Sequence, residues 1–218
     1  MHPSKAPGSD GLPALFFQQF WGILGEDITR EALNILNGRG IDSHSAFVPG
    51  RLILDNVLLG FEVMHWIRQH RGGGTGYTAL KLDMSKAYDR VEWDFLRGMM
   101  SKLGSSLQWT NLVIRCVTSI SYYFLINGQV QGSLSPGRGL RQGDSLSPYL
   151  FVICAQGLSE MLVDFECRRL FKGVSVAARC PTVSHLFFAD DSLIFCRART
   201  RECVELKQCL WSYAVASG

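Results

Sequence analysis

The sequence predicts an α+β fold in which antiparallel strands pack on helices. Two observations carry that reading. Short apolar runs at 186–188 and 193–195 flank Asp190-Asp191, as in a β-hairpin with acids at its tip. Asn127-Gly128 joins two further strand-like runs, the strongest short-range hairpin signal. Segments with apolar residues at helical spacing lie between these strands.

The elements run in order along the chain. Residues 1–11 hold two Pro and two Gly and read as a loop, with Asp10 placed to cap the helical segment after it. Residues 12–36 repeat apolar side chains at helical spacing until Asn37-Gly38. After an irregular stretch, 52–69 reads as a helix with Leu52, Val57, Leu58, Phe61, Met64 and Trp66 available for a buried face. Residues 71–76 form a Gly-rich link that lacks the Lys-Ser/Thr ending of a phosphate-binding loop. A strand at 77–83 ends on Asp83. Helices come next at 92–103, stopped by Gly104, and at 107–120. The Asn-Gly hairpin covers 122–131, and a Gly-rich loop covers 133–143. A mostly buried helix spans 146–165, with Pro148 in its first turn. A strand near 173–178, the acid-tipped hairpin and an amphipathic helix over 200–214 complete the chain.

Composition sets bounds. At 218 residues, with 47% hydrophobic and 19% charged side chains, the chain has material for a substantial core. A net charge of +3 permits a nucleic-acid partner without pointing to one. The seven cysteines are odd in number and lack the two-residue spacing of a zinc or redox motif, so free thiols in a reducing compartment are expected. No secretory leader or membrane-length apolar run is present, which implies an intracellular, cytoplasmic or nuclear protein without a membrane partner.

Alone, Asp190-Asp191 is read more easily as a solvated turn than as a metal site. Asp83 is balanced between a helix cap and a functional acid, and Asp89, between Lys86 and Arg90, reads as surface charge. The architecture adds weight: if the two acid-tipped strands pair as neighbours, Asp83, Asp190 and Asp191 converge. Two-metal phosphoryl transfer needs such a cluster, and Mg²⁺ suits it because it takes few carboxylates and fills its shell with water and phosphate oxygens.

Three segments carry a family resemblance. Lys81-Leu82-Asp83-Met84-Ser85-Lys86-Ala87-Tyr88-Asp89 resembles motif A of reverse transcriptases. Gly139-Leu140-Arg141-Gln142-Gly143-Asp144-Ser145-Leu146-Ser147-Pro148 resembles motif B, and Phe188-Ala189-Asp190-Asp191 resembles motif C. The wording is most similar to the non-LTR, LINE-type retrotransposon enzymes, especially plant-type elements. Lys5–Gly11 and Ser45–Arg51 agree with it. The resemblance implies a right-hand polymerase, with partial helical fingers over 1–76 and a palm over 77–218. It implies an RNA-directed DNA polymerase that joins a deoxynucleoside triphosphate to a DNA primer 3′-hydroxyl on an RNA template. Two Mg²⁺ ions would be held by Asp83, Asp190 and Asp191, the last less directly. Tyr88 would lie under the sugar of the incoming nucleotide and exclude a 2′-hydroxyl; a core aromatic is the competing reading, but a bulky ring five residues after Asp83 is what such exclusion requires. Gln142 and Gly143 would line the nucleotide pocket, and Arg141 would contact phosphate or template unless it is simply a solvated loop charge.

The chain also departs from the family. Residues 37–40 pass almost directly to 44–47, where the family carries basic finger elements that grip the triphosphate, so an internal deletion near 38–44 is expected. A thumb after residue 218 is expected to be lacking, and Ser145 and Ser9 stand where the family has Pro. These departures predict weak or no polymerase activity in the isolated chain. The competing function is a catalytically dead retroelement remnant that binds nucleic acid weakly at most. A nucleotide cyclase or phosphatase would share the acid-tipped hairpin but leaves Tyr88 and 139–148 unexplained.

Overall fold

The computed structural model describes residues 53–70, 76–177, 180–188 and 190–218. The expected helix at 12–36, the loops around it, the shortened fingers segment and the Gly-rich link at 71–75 lie outside the described residues. Six helices and five strands are described: α1 (Ile53–Gln69), β1 (Tyr77–Asp83), α2 (Ala87–Arg90), α3 (Trp93–Lys102), α4 (Leu107–Thr118), β2 (Tyr122–Ile126), β3 (Gln129–Leu134), α5 (Ser147–Cys167), β4 (His185–Phe188), β5 (Asp191–Arg197) and α6 (Thr200–Ser217).

The strands form two antiparallel sheets, one ordered β1-β5-β4 and the other a β2-β3 hairpin. In the first, β5 is central. Its residues alternate between two covered faces, as strand geometry requires. Ile194 and Cys196 pack with Phe187, Leu158, Leu162 and Leu206 toward α5 and α6. Leu193 and Phe195 pack with Val63, Leu186 and Val174 toward α1. Burial on both faces explains why these strands read in sequence as continuous apolar runs.

Helix α5 is the hub. From Leu150 to Ser159 every residue is buried, as expected of a helix that is apolar nearly all round. It packs with Leu96 and Met100 of α3 and Val113, Ile114 and Val117 of α4 in one cluster, and with the sheet and α6 in another. Its start is fixed locally: the Leu146 amide donates to Asp144 Oδ1 at 2.8 Å, and Pro148 occupies the first turn. Helix α4 begins in the same manner, with Ser106 Oγ accepting from the Trp109 amide at 3.2 Å. Gly104, at φ +90°, ends α3 in the left-handed conformation that favours glycine.

The hairpin turn holds both Asn127 (φ 51°) and Gly128 (φ 79°) in that conformation, as a two-residue hairpin of this type demands. Two points differ from the sequence reading. Among the described residues, the strand expected near 173–178 is one bridge, Val174 to Val183, after which the chain bends as Ser175 Oγ donates to the Ala177 and Cys180 carbonyls. Residues 87–90, to which no element was assigned between the strand at 77–83 and the helix at 92–103, form the short helix α2 after Lys86 at φ 55°.

Candidate active site

The acids are placed by strand pairing. Strand β1 runs antiparallel to β5 with Asp83 directly opposite Asp191, while Asp191 also faces Phe188 of β4. Asp190 sits in the turn just before β5, and its carbonyl accepts from the Met84 amide at 3.2 Å. The end of β1 is therefore tied to the turn that bears Asp190. Asp83 and Asp190 are exposed and Asp191 is half-buried.

The pairing is the one expected from sequence, but the three carboxylates do not form a ready-made cage. Among the described residues, no three His, Cys, Asp or Glu side chains converge in the manner of a metal site. Asp191 is instead engaged by Lys81, whose Nζ lies 3.0 Å from Asp191 Oδ1. Lys81 and Asp83 lie two residues apart and share a strand face. The hydrogen bond and charge of Asp191 hold the Lys81 ammonium pKa above its ordinary value, and the charges of Asp83 and Asp190 add to this. Sequence reasoning missed Lys81, although its spacing from Asp83 was the available signal.

Tyr88 is half-buried on α2. Its ring stacks on Phe151 of α5, with centroids 5.1 Å apart and planes at 17°. Burial pushes its phenol pKa up, and the negative charge of Asp190 adds to the effect. Tyr88 is thus both a packed aromatic and a neighbour of the acid centre.

The loop before α5 is strapped to α2 by main-chain bonds. The Leu140 amide donates to the Tyr88 carbonyl at 2.7 Å and the Gly139 amide to the Val91 carbonyl at 2.8 Å. Trp93 Nε1 donates to the Gly139 carbonyl at 2.8 Å. Gly139 has φ +95°, and a Cβ there would lie 2.8 Å from the Asp89 carbonyl oxygen. Arg141 lines a cavity of about 240 Å³ with Asp89, Tyr122, Arg138 and Gly139. Gln142 and Gly143 are exposed in the same loop, and among the described residues no hydrogen bond or ion pair ties them to the acids. The structure therefore pairs Asp83 with Asp191, sets Asp190 in the adjoining turn with Tyr88 in reach of its charge, and leaves Arg141, Gln142 and Gly143 on an adjoining loop. A second cavity, about 330 Å³, opens beside Asp83 over Phe151, Cys154, Leu158 and Tyr213.

Behind the acids, His185 is buried. One ring nitrogen pairs with Ser159 Oγ at 2.8 Å and the other with Ser184 Oγ at 3.0 Å. Burial lowers its pKa to about 4. Asn56 of α1 donates to the Phe187 carbonyl at 3.2 Å and fixes that helix against β4.

An antiparallel sheet on helices, with acids at the paired ends of two strands, defines a palm of the polymerase type. Residues 26–217 match the model of the reverse transcriptase (RNA-dependent DNA polymerase) family, and the chain belongs to that family. It is 26% identical over 276 residues to the transposon TX1 149 kDa protein of Xenopus laevis, covering all of this chain and 20% of that protein. Those 276 aligned residues exceed the 218 of this chain, so the relative carries residues that this chain lacks. It is 29% identical over 141 residues to the Pol polyprotein of the type-1 retrotransposable element R2 of Popillia japonica, covering 65% of this chain and 22% of that protein. An uncharacterized mitochondrial protein of Arabidopsis thaliana is 46% identical over 69 residues, 32% of this chain and 57% of its own length. The chain thus spans 57% of that relative and about a fifth of the other two. Among solved structures, apo telomerase of Candida tropicalis superposes with a TM-score of 0.59 at 14% identity, over 92% of this chain and 39% of that one. That likeness is one of fold, and two of the relatives bear the names of transposon or retrotransposable-element proteins.

Proposed function

We propose that this domain carries the nucleotidyl-transfer centre of an RNA-directed DNA polymerase, with an RNA template, a DNA primer and deoxynucleoside triphosphates as substrates. The supporting observation is the in-register pairing of Asp83 with Asp191, with Asp190 in the adjoining turn. The donor set fits Mg²⁺: exposed, hard carboxylate oxygens, with room for water and phosphate to complete the shell. Among the described residues, Lys81 pairs directly with Asp191, and no ion pair holds the other two carboxylates, Asp83 and Asp190. Mg²⁺ asks for no more than one or two where substrate phosphates supply the rest.

When bound, two such ions lower the pKa of the primer hydroxyl and stabilise charge on the leaving pyrophosphate. The chain's own residues act around that event. Asp83 and Asp190 would hold the cations at strand ends fixed by backbone bonds, so little reorganisation would be needed. Tyr88, braced by Phe151, presents a rigid ring beside Asp190, suited to reject a sugar that bears a 2′-hydroxyl. Arg141 lines a cavity on the adjoining loop with Asp89 and Arg138, the last paired with Glu92 at 3.1 Å, and would offer its charge to a nucleic-acid phosphate.

Primer extension on an RNA template with Mg²⁺ tests the reading. The missing finger elements predict slow synthesis by the isolated chain, and Asp190→Asn is expected to lower the rate at least about 100-fold, a loss typical of one stabilising group in the transition state. Extension that survives Asp190→Asn unchanged would overturn the assignment. Fast synthesis by the isolated chain would overturn the expected handicap while leaving the chemistry in place.

A further inference from the structure

We propose that Lys81 is the internal counter-ion of the acid centre. Its ammonium reserves Asp191, so that a divalent cation is taken by Asp83 and Asp190 and binds against one positive charge already in place. The inference rests on the reading of those two acids as the metal pair, and goes beyond it by giving Lys81 a positioning role.

The geometry supplies the reason. Asp83 and Asp191 are cross-strand partners, and like charges directly opposite one another are destabilising. Lys81 is the cross-strand partner of Leu193, so Asp191 lies diagonally across from it on the same face. A lysine stem spans such a diagonal, and Nζ reaches Asp191 Oδ1 at 3.0 Å. Both side chains remain open to water, 65% and 45% exposed, so the pair is adaptable rather than locked. Among the described residues, Lys81 makes its close ion pair with Asp191 and acts on Asp83 and Asp190 only through its charge, which divides three acids between two tasks.

The two tasks pull in opposite directions. Without a metal ion, Lys81 relieves repulsion among the acids and steadies the ends of β1 and β5. With one, the same charge opposes the incoming cation. Removing Lys81 therefore weakens the metal-free fold and tightens metal binding, a combination that a merely structural lysine does not produce.

The experiment uses the full chain and Mn²⁺, with free Mn²⁺ read by electron paramagnetic resonance and thermal melting followed in chelator. Lys81→Met is expected to bind Mn²⁺ about three- to tenfold more tightly, as removal of one screened charge a few ångströms away implies. Its melting point in chelator should fall below that of the unsubstituted chain, and saturating Mn²⁺ should narrow the gap. Lys81→Arg, which keeps the charge, should restore both properties. Unchanged or weaker Mn²⁺ binding by Lys81→Met overturns the counter-ion role. If the unsubstituted chain binds Mn²⁺ and loses it on Asp190→Asn while Lys81→Met behaves as the unsubstituted chain, only the role of Lys81 falls. If neither the unsubstituted chain nor Lys81→Met binds Mn²⁺, the metal centre and the counter-ion fall together.

Discussion

The β4-β5 hairpin and the β2-β3 hairpin are built from similar residue types and end in opposite situations. In β5, Ile194 and Phe195 have no exposed surface, and in β4 Phe187 is 1% exposed. In β2, every residue from Tyr122 to Ile126 is exposed, as are Val130 and Leu134 of β3. Both hairpins are specified by local turn chemistry, but only one is covered by helices on both faces. The difference teaches that apolar alternation and turn residues dictate a strand, while burial is decided by what else in the chain reaches it.

Substitutions sharpen that contrast. Phe195→Ala is expected to destabilise by about 3–5 kcal/mol through lost burial and the cavity left behind. Chemical denaturation measures it, and a loss below about 1 kcal/mol would mean that the sheet is not the core described. Acidification comes next. The folded pKa of His185, about 4, lies below its ordinary 6.5, so the neutral ring stabilises the fold above pH 6.5, and that stability is lost as pH falls from 6.5 towards 4. The full loss is on the order of 3 kcal/mol. A stability profile that stays flat through this window in the unsubstituted chain but falls in His185→Asn would contradict the buried neutral imidazole. Gly139→Ala forces a Cβ toward the Asp89 carbonyl at a positive φ, and should cost about 2 kcal/mol; melting of the purified variant tests it. Leu125→Ser, on the open hairpin, should change stability by no more than about 0.5 kcal/mol. A loss as large as that of Phe195→Ala would show that the hairpin face is covered in solution.

Much of the fold is legible because the signals are local. The β1 boundaries come from alternation ending on Asp83, and α5 from its apolar length and Pro148. The expected pairing of Asp83 with the acid-tipped hairpin also holds, since β1 and β5 are neighbours. What escaped was set by tertiary approach. Gly173 abuts the Val183–Ser184 backbone, a contact invisible to propensity, and Ser175 bends the chain after a single bridge. Lys81 escaped because its partner comes from a strand far along the chain. The stacking of Tyr88 on Phe151 is likewise a tertiary contact that local sequence could not choose.

The strap between the loop at 139–140 and α2 has a consequence for how such a gene ages. Two of its three bonds run from amide to carbonyl and are indifferent to which side chains stand at Tyr88, Val91 and Leu140. Point substitutions at those three positions leave the strap's donors and acceptors in place, although Val91 and Leu140 also belong to the core and their loss costs stability by that route, whereas one change at Gly139 strikes the strap directly. A drifting copy of this chain would keep its outline long after its surface had changed, and a single glycine would mark the moment when the outline gives way.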